Sequence, residues 1–112
     1  MTAREQCRRE RRHADGTKGE AVLGRDYRAW ARRNFAGFRE VRYAEDQTYA
    51  GHKGAVVFEY EAVRDGRRVH VSHINFKGRT WGYNVEFIVP ADSWDASRGL
   101  ADQFEQAFQA LG

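Results

Sequence analysis

The chain has 112 residues, enough for one domain of common size, and its single Cys7 excludes an internal disulfide framework. Its 13% aromatic content lets so short a chain bury a useful apolar area, at roughly 25 cal/mol per Å² removed from water. The net charge of +3 is uneven, with a net +6 over residues 1–42 and a net −3 over residues 43–112, and no apolar run approaches the ~18–20 residues that span a bilayer.

Met1–Glu20 is dominated by Arg, Glu and Gly and lacks the apolar core of a signal peptide, so as written the chain reads as cytoplasmic. With almost no apolar side chain to bury, residues 1–21 read as a flexible basic tail. Residues 22–112 read as a single domain.

From Leu23 to Phe38 the apolar positions Leu23, Tyr27, Trp30, Ala31, Phe35 and Phe38 recur at three to four residues, which predicts an amphipathic helix. Arg25, Arg28, Arg32 and Arg33 cover its other side as a basic patch, and Gly37 is placed to end it. Short strands follow at Val41–Ala44 and Thr48-Tyr49, with a turn at Gly51–Gly54. Ala55–Val63 alternates as a strand should, and Asp65-Gly66 predicts a two-residue hairpin turn, because both positions tolerate positive φ. That turn sets Phe58 opposite His73, Tyr60 opposite Val71 and Ala62 opposite Val69.

Arg67–Phe76 and Thr80–Val89 complete a meander that Pro90 ends, having no N–H to donate. If one face of the sheet is the apolar one, a three-residue loop Phe76–Gly78 pairs Val71 with Tyr83 and Val69 with Val85. A second helix carries Trp94, Leu100, Ala101, Phe104, Ala107, Phe108 and Leu111 on one stripe, with Asp92 or Ser93 as cap and Gly99 suited to a close approach to the sheet. The expected architecture is α+β: an antiparallel meander of four or slightly more strands, with an N-terminal and a C-terminal amphipathic helix packed on one face.

Candidate chemistry is sparse. The spacing of the four histidines makes no metal site, and no HExxH, CxxC, Gly-x-Ser-x-Gly or glycine-rich phosphate motif occurs, so no cofactor is implied. In the expected register the second sheet face gathers Glu61, His70 and Asn84 in one row, Glu59 and Ser72 in the next, and Glu86 nearby. Carboxylate, imidazole and amide side by side suit acid–base work or a polar ligand, against the simpler reading of a solvated sheet face. The N-terminal arginines and the basic patch suit nucleic acid or an acidic protein, but they alternate with Glu5, Glu10 and Glu20 and lack a stacking platform of aromatics. An exposed mixed face and unprotected strand edges also suit a homodimer.

The strand Val57-Phe58-Glu59-Tyr60, the hairpin Asp65-Gly66-Arg67-Arg68-Val69-His70 and the run from Gly82-Tyr83 to Val89-Pro90-Ala91 carry a family likeness. So does Trp94-Asp95-Ala96-Ser97-Arg98 with Leu100, Phe104 and Phe108. Over Tyr27–Leu111 the chain resembles the PsbP-like extracytoplasmic C-terminal domain of actinobacterial serine/threonine protein kinases and related lipoproteins. The resemblance implies a non-catalytic sensory or interaction module binding a protein or small molecule, extracytoplasmic if the chain is a fragment of a membrane-bound member. It supplies no catalytic residue. The opening strands of that family, ahead of the first helix, are not visible in Met1–Val22.

Overall fold

The computed structural model describes residues 6–13, 19–78 and 81–111. Among them the chain runs β1 (Gln6–His13), α1 (Glu20–Asn34), β2 (Ala36–Tyr49), β3 (His52–Arg64), β4 (Arg67–Lys77), β5 (Trp81–Pro90), a 3₁₀ turn (Ala91–Ser93) and α2 (Trp94–Leu111). The strands form one antiparallel sheet in the order β1-β5-β4-β3-β2, so the fold is α+β.

The segment expected to be a flexible tail contains β1, which pairs along β5 from Gln6↔Ile88 to His13↔Trp81. Backbone pairing needs no apolar side chain, which is why composition hides this strand. Of the rest of that tail, residues 1–5 and 14–18 lie outside the described residues, while Gly19 caps α1 and Glu20 and Ala21 belong to it.

The Asp65-Gly66 hairpin has the expected register, with Phe58↔His73, Tyr60↔Val71 and Ala62↔Val69. Both turn residues have positive φ, 52° and 76°. The preceding turn differs: Ala50 (φ 51°) and Gly51 (φ 82°) form it between Tyr49 and His52, while Gly54 (φ 80°) lies within β3, where the pairing shifts. Ala50 holds this left-handed conformation while its N–H donates to Glu105 Oε2 at 3.0 Å, which anchors the turn to α2.

The β4–β5 register overturns one expectation. Lys77 pairs with Gly82, leaving four residues between, and Gly78 N–H donates to Trp81 O at 2.8 Å. Val71 therefore faces Ile88 rather than Tyr83, and Val69 faces Pro90 rather than Val85. The change of parity turns every β5 side chain to the opposite face. Tyr83, Val85 and Phe87 share a face with Ile74 and Phe76, while Asn84, Glu86 and Ile88 share one with Phe58, Tyr60 and Val71.

The two helices accordingly lie on opposite faces, not on one. On the first face Ala31 of α1 joins a core of Phe58, Tyr60, Ala62 and Val71, with Tyr27, Phe35 and Phe38 against it. On the second, Phe104 and Phe108 of α2 pack on Ile74, Phe76, Val85 and Phe87. β4 sits between them, and every residue from His70 to Phe76 is buried. The expectation failed because it assumed a single apolar face, and a sheet covered on both sides has two.

α1 also ends earlier than expected. Phe35 is already extended (φ −99°, ψ 129°), and Phe38 belongs to β2, its ring 5.4 Å from that of Tyr60. Gly37 has φ 61° but lies inside β2, where it is part of a pairing irregularity. The buried positions of α1 are Glu20, Gly24 and Ala31. A Cβ on Gly24 would lie 2.7 Å from Val56 Cγ1 and 3.2 Å from the Tyr43 hydroxyl, so this glycine brings helix and sheet together. Gly99, expected to serve that purpose in α2, faces open space.

These two glycines should answer substitution in opposite directions. Gly24→Ala should destabilise by about 1–3 kcal/mol through overpacking, while Gly99→Ala should stabilise by about 0.5–1 kcal/mol through helix propensity. Urea unfolding of both variants checks this, and equal effects would contradict the packing described.

Candidate functional site

The six residues of the predicted polar cluster are divided between the two faces. Glu59, Glu61, His70 and Ser72 lie on the α2 side, whereas Asn84 and Glu86 lie on the α1 side, so the row Glu61–His70–Asn84 does not exist. The parity of β5 alone separates them.

Under α1, Glu86 is 6% exposed. Tyr27 Oη donates to its Oε2 at 3.1 Å and lies 2.8 Å from Tyr60 Oη. His73 Nδ1 stands 3.7 Å from Oε2 and Arg64 Nη1 3.9 Å from Oε1, while the His73 and Tyr27 rings stack at 4.0 Å. Burial, then the neighbouring Glu86 carboxylate, pushes the Tyr27 hydroxyl far above its usual range, and burial raises Tyr60 to about 12. Both phenols stay protonated and act as fixed donors. At the start of the helix, Asn75 Nδ2 donates to the Glu20 carbonyl and to its Oε2, each at 2.9 Å.

On the α2 side, Glu61 Oε2 approaches His70 Nδ1 to 3.7 Å. His70 is 1% exposed and its ring stacks on Trp94 at 4.0 Å with a 12° interplanar angle. Burial lowers the His70 pKa, outweighing the nearby Glu59 and Glu61 carboxylates that raise it. Burial would raise Glu61, but the guanidiniums of Arg39 (3.0 Å) and Arg68 (3.3 Å) outweigh it and hold the carboxyl below its usual range. The imidazole is sealed under an indole and the carboxylate is taken up by two arginines.

The basic patch is largely used within the molecule. Arg25 donates to both Glu45 oxygens at 2.8 Å, and Arg28 donates to both oxygens of Glu40, which Arg32 approaches to 3.7 Å. The hydrogen bond from Arg25 brings Glu45 down to about 2. Arg33 lies in the last turn of α1, where a cation complements the helix dipole.

Phe104 and Phe108 seat α2 over β4 and β5, which leaves the β2–β3 half of that face uncovered. A groove of about 580 Å³ results. Its lining includes apolar Val57, Ile74, Phe87 and Ala101, with Glu59 and Ser72 beside them. Trp94, Arg98, Asp102 and Glu105 of α2 line one side, and Arg42, Gln47, Thr48 and Tyr49 of β2 the other. Two predicted residues, Glu59 and Ser72, thus reach this groove. The α2 residues were missed, although Arg98, Asp102 and Glu105 repeat at helical spacing beside the apolar stripe. Among the described residues no group of three or more His, Cys, Asp or Glu is placed to hold a metal ion.

No family profile and no curated protein matches the sequence. Among solved structures, the fold is similar to a Pseudomonas aeruginosa protein of unknown function described as a candidate regulator. The TM-score is 0.77 at 18% identity, over 96% of this chain and 72% of that one. At such identity the likeness is one of fold.

Both buried networks should show in stability. Tyr27→Phe leaves Glu86 short of a donor in the interior and should cost about 1–3 kcal/mol. In the Glu86→Gln background that cost should shrink, and a double-mutant cycle by urea unfolding measures the difference.

Because His70 has a lowered pKa in the folded state, its contribution is fully present above the unfolded value of roughly 6.5 and is lost as the pH falls below it. Unfolding at pH 7.5 and 5.5 should therefore show a stability loss in acid that His70→Gln diminishes. An unchanged loss in that variant would contradict a buried neutral imidazole.

Proposed function

We propose that this protein is a non-catalytic binding module that holds a segment of a partner protein in the groove beside α2. The half-covered face carries the reading: its floor mixes Val57, Ile74 and Phe87 with Glu59 and Ser72, while its walls present Asp102 and Glu105 together with Arg42 and Arg98. The apolar part of that floor supplies affinity, and charges of both signs on the walls select the partner's register and direction. His70 and Glu86, by contrast, are packed beneath Trp94 and α1, where they brace the fold.

The resemblance to kinase-associated sensory domains supports a role as the accessory domain of a serine/threonine kinase system, and the fold shared with a candidate regulator is compatible with a regulatory module in general. An accessory domain of this kind works by changing what is held near the enzyme, which needs a recognition groove and no chemistry of its own. No helix among the described residues is long and apolar enough to cross a membrane.

A photo-crosslinking side chain at Ala101, with identification of the attached protein by mass spectrometry, should capture the partner. Its affinity should then fall at least tenfold in Ala101→Arg, which fills the groove, and stay unchanged in Arg33→Ala on the far side. A partner indifferent to Ala101→Arg would sink the reading.

A further inference from the structure

We propose a second site, on the opposite face of the sheet, for a carboxylate joined to a compact apolar body. It goes beyond the groove reading and depends on none of its residues.

On the α1 face, a pocket of about 370 Å³ lies at the β3–β4 hairpin end. Val69, Ile88 and Pro90 give it an apolar floor, and Arg64 and Arg67 line it. The ladder explains this placement. Arg64 and Arg67 are the closing pair of the hairpin, in the same facial series as Ala62↔Val69 and Val69↔Pro90. Arg68, one residue on, belongs to the other face, where it donates to Glu61 and to the Gly37 carbonyl. Two of the three hairpin arginines are therefore directed to the pocket and the third is engaged elsewhere.

Their surroundings differ in a way that suits binding. Arg64 is braced: its guanidinium lies 4.8 Å from the centre of the Phe35 ring, and its buried Nη1 is 3.9 Å from Glu86 Oε1, beyond hydrogen-bond reach. A guanidinium fixed on a ring loses little freedom when it takes a ligand. Arg67 is exposed and makes no ion pair among the described residues. Asp65 is the one carboxylate in the lining, and Glu86, behind Arg64, accepts from Tyr27 on its other oxygen. Two guanidiniums beside an apolar floor match a carboxylate whose other end is aliphatic, because the forked donor pairs with both carboxylate oxygens while the body leaves water.

That chemistry has two sources, a small free organic acid and the C-terminal carboxylate of a polypeptide ending in an apolar residue. Isocaproate, its amide isocaproamide, and a short peptide ending in leucine separate them. In NMR titrations of the ¹⁵N-labelled full chain, isocaproate should shift Gly66, Val69 and Ile88. Isocaproamide should bind at least fivefold more weakly, and Arg67→Gln should weaken isocaproate by a similar factor. Arg67 is exposed at a turn, so this variant keeps the fold; Arg64→Lys, which keeps the charge but not the fork, should also bind more weakly. Binding of isocaproate alone assigns the site to small acids, and binding of the peptide as well extends it to chain termini. Equal binding of acid and amide, undiminished binding in Arg67→Gln, or no shift at these residues would overturn the proposal. Ala101→Arg, which fills the groove, should leave these titrations unchanged.

Discussion

A helix on each side of β4 is the constraint from which the remaining arrangement follows. Seven consecutive buried residues, His70 to Phe76, leave this strand almost no solvent-facing surface, so its side chains find their partners in the layers on either side. The polar members find different ones: His73 and Asn75 meet Tyr27, Glu86 and Glu20 under α1, while His70 meets Trp94 and Glu61 toward α2. Because the ladder to β5 has one parity, the same constraint decides that Glu86 is buried on the α1 side and Phe87 on the other.

The two layers are finished differently. The α1 side combines stacked and edge-on rings, from Trp30 and Phe35 through Tyr27 to Phe58 and Tyr60, with hydrogen bonds that occupy the buried phenols and carboxylate. Such pairing matters because a buried polar group left without a partner costs about 1–3 kcal/mol. The α2 side rests on Phe104, Phe108 and Trp94, and on the bond from the Ala50 N–H to Glu105. With its rings concentrated over β4 and β5, α2 does not reach across β3 and β2, and the groove is the part of the face it leaves open. One sheet thus has a closed structural side and a partly open recognition side.

Charge is used in the same local fashion. The arginines of α1 look in the sequence like a surface for an acidic partner, yet Arg25 and Arg28 each grip a glutamate of β2 with two donors. Exposed pairs of this kind add little to stability, but with two donors each they tie the helix to the long edge strand. At the β3–β4 hairpin, by contrast, Arg67 is exposed beside an apolar floor and makes no ion pair among the described residues.

Local chemistry was legible in the sequence by itself. Asp65-Gly66 dictated a tight turn and with it the whole β3–β4 register, because turn length fixes strand parity. The three-to-four-residue repeats disclosed both helices, and Pro90 ended the last strand where expected. What sequence could not disclose was which side of β5 faces which helix, since Tyr83-Asn84-Val85-Glu86-Phe87 alternates equally well in either parity. A loop of three or of four residues leaves that strand's own pattern unchanged. Only the tertiary structure, by placing α1 and α2 on opposite faces, decided between them: each helix needs its own apolar surface, and two surfaces exist only when β5 turns its rings away from Tyr60. That one choice separated Glu86 and Asn84 from Glu61 and His70, and it brought Arg98, Asp102 and Glu105 to the groove beside Glu59 and Ser72.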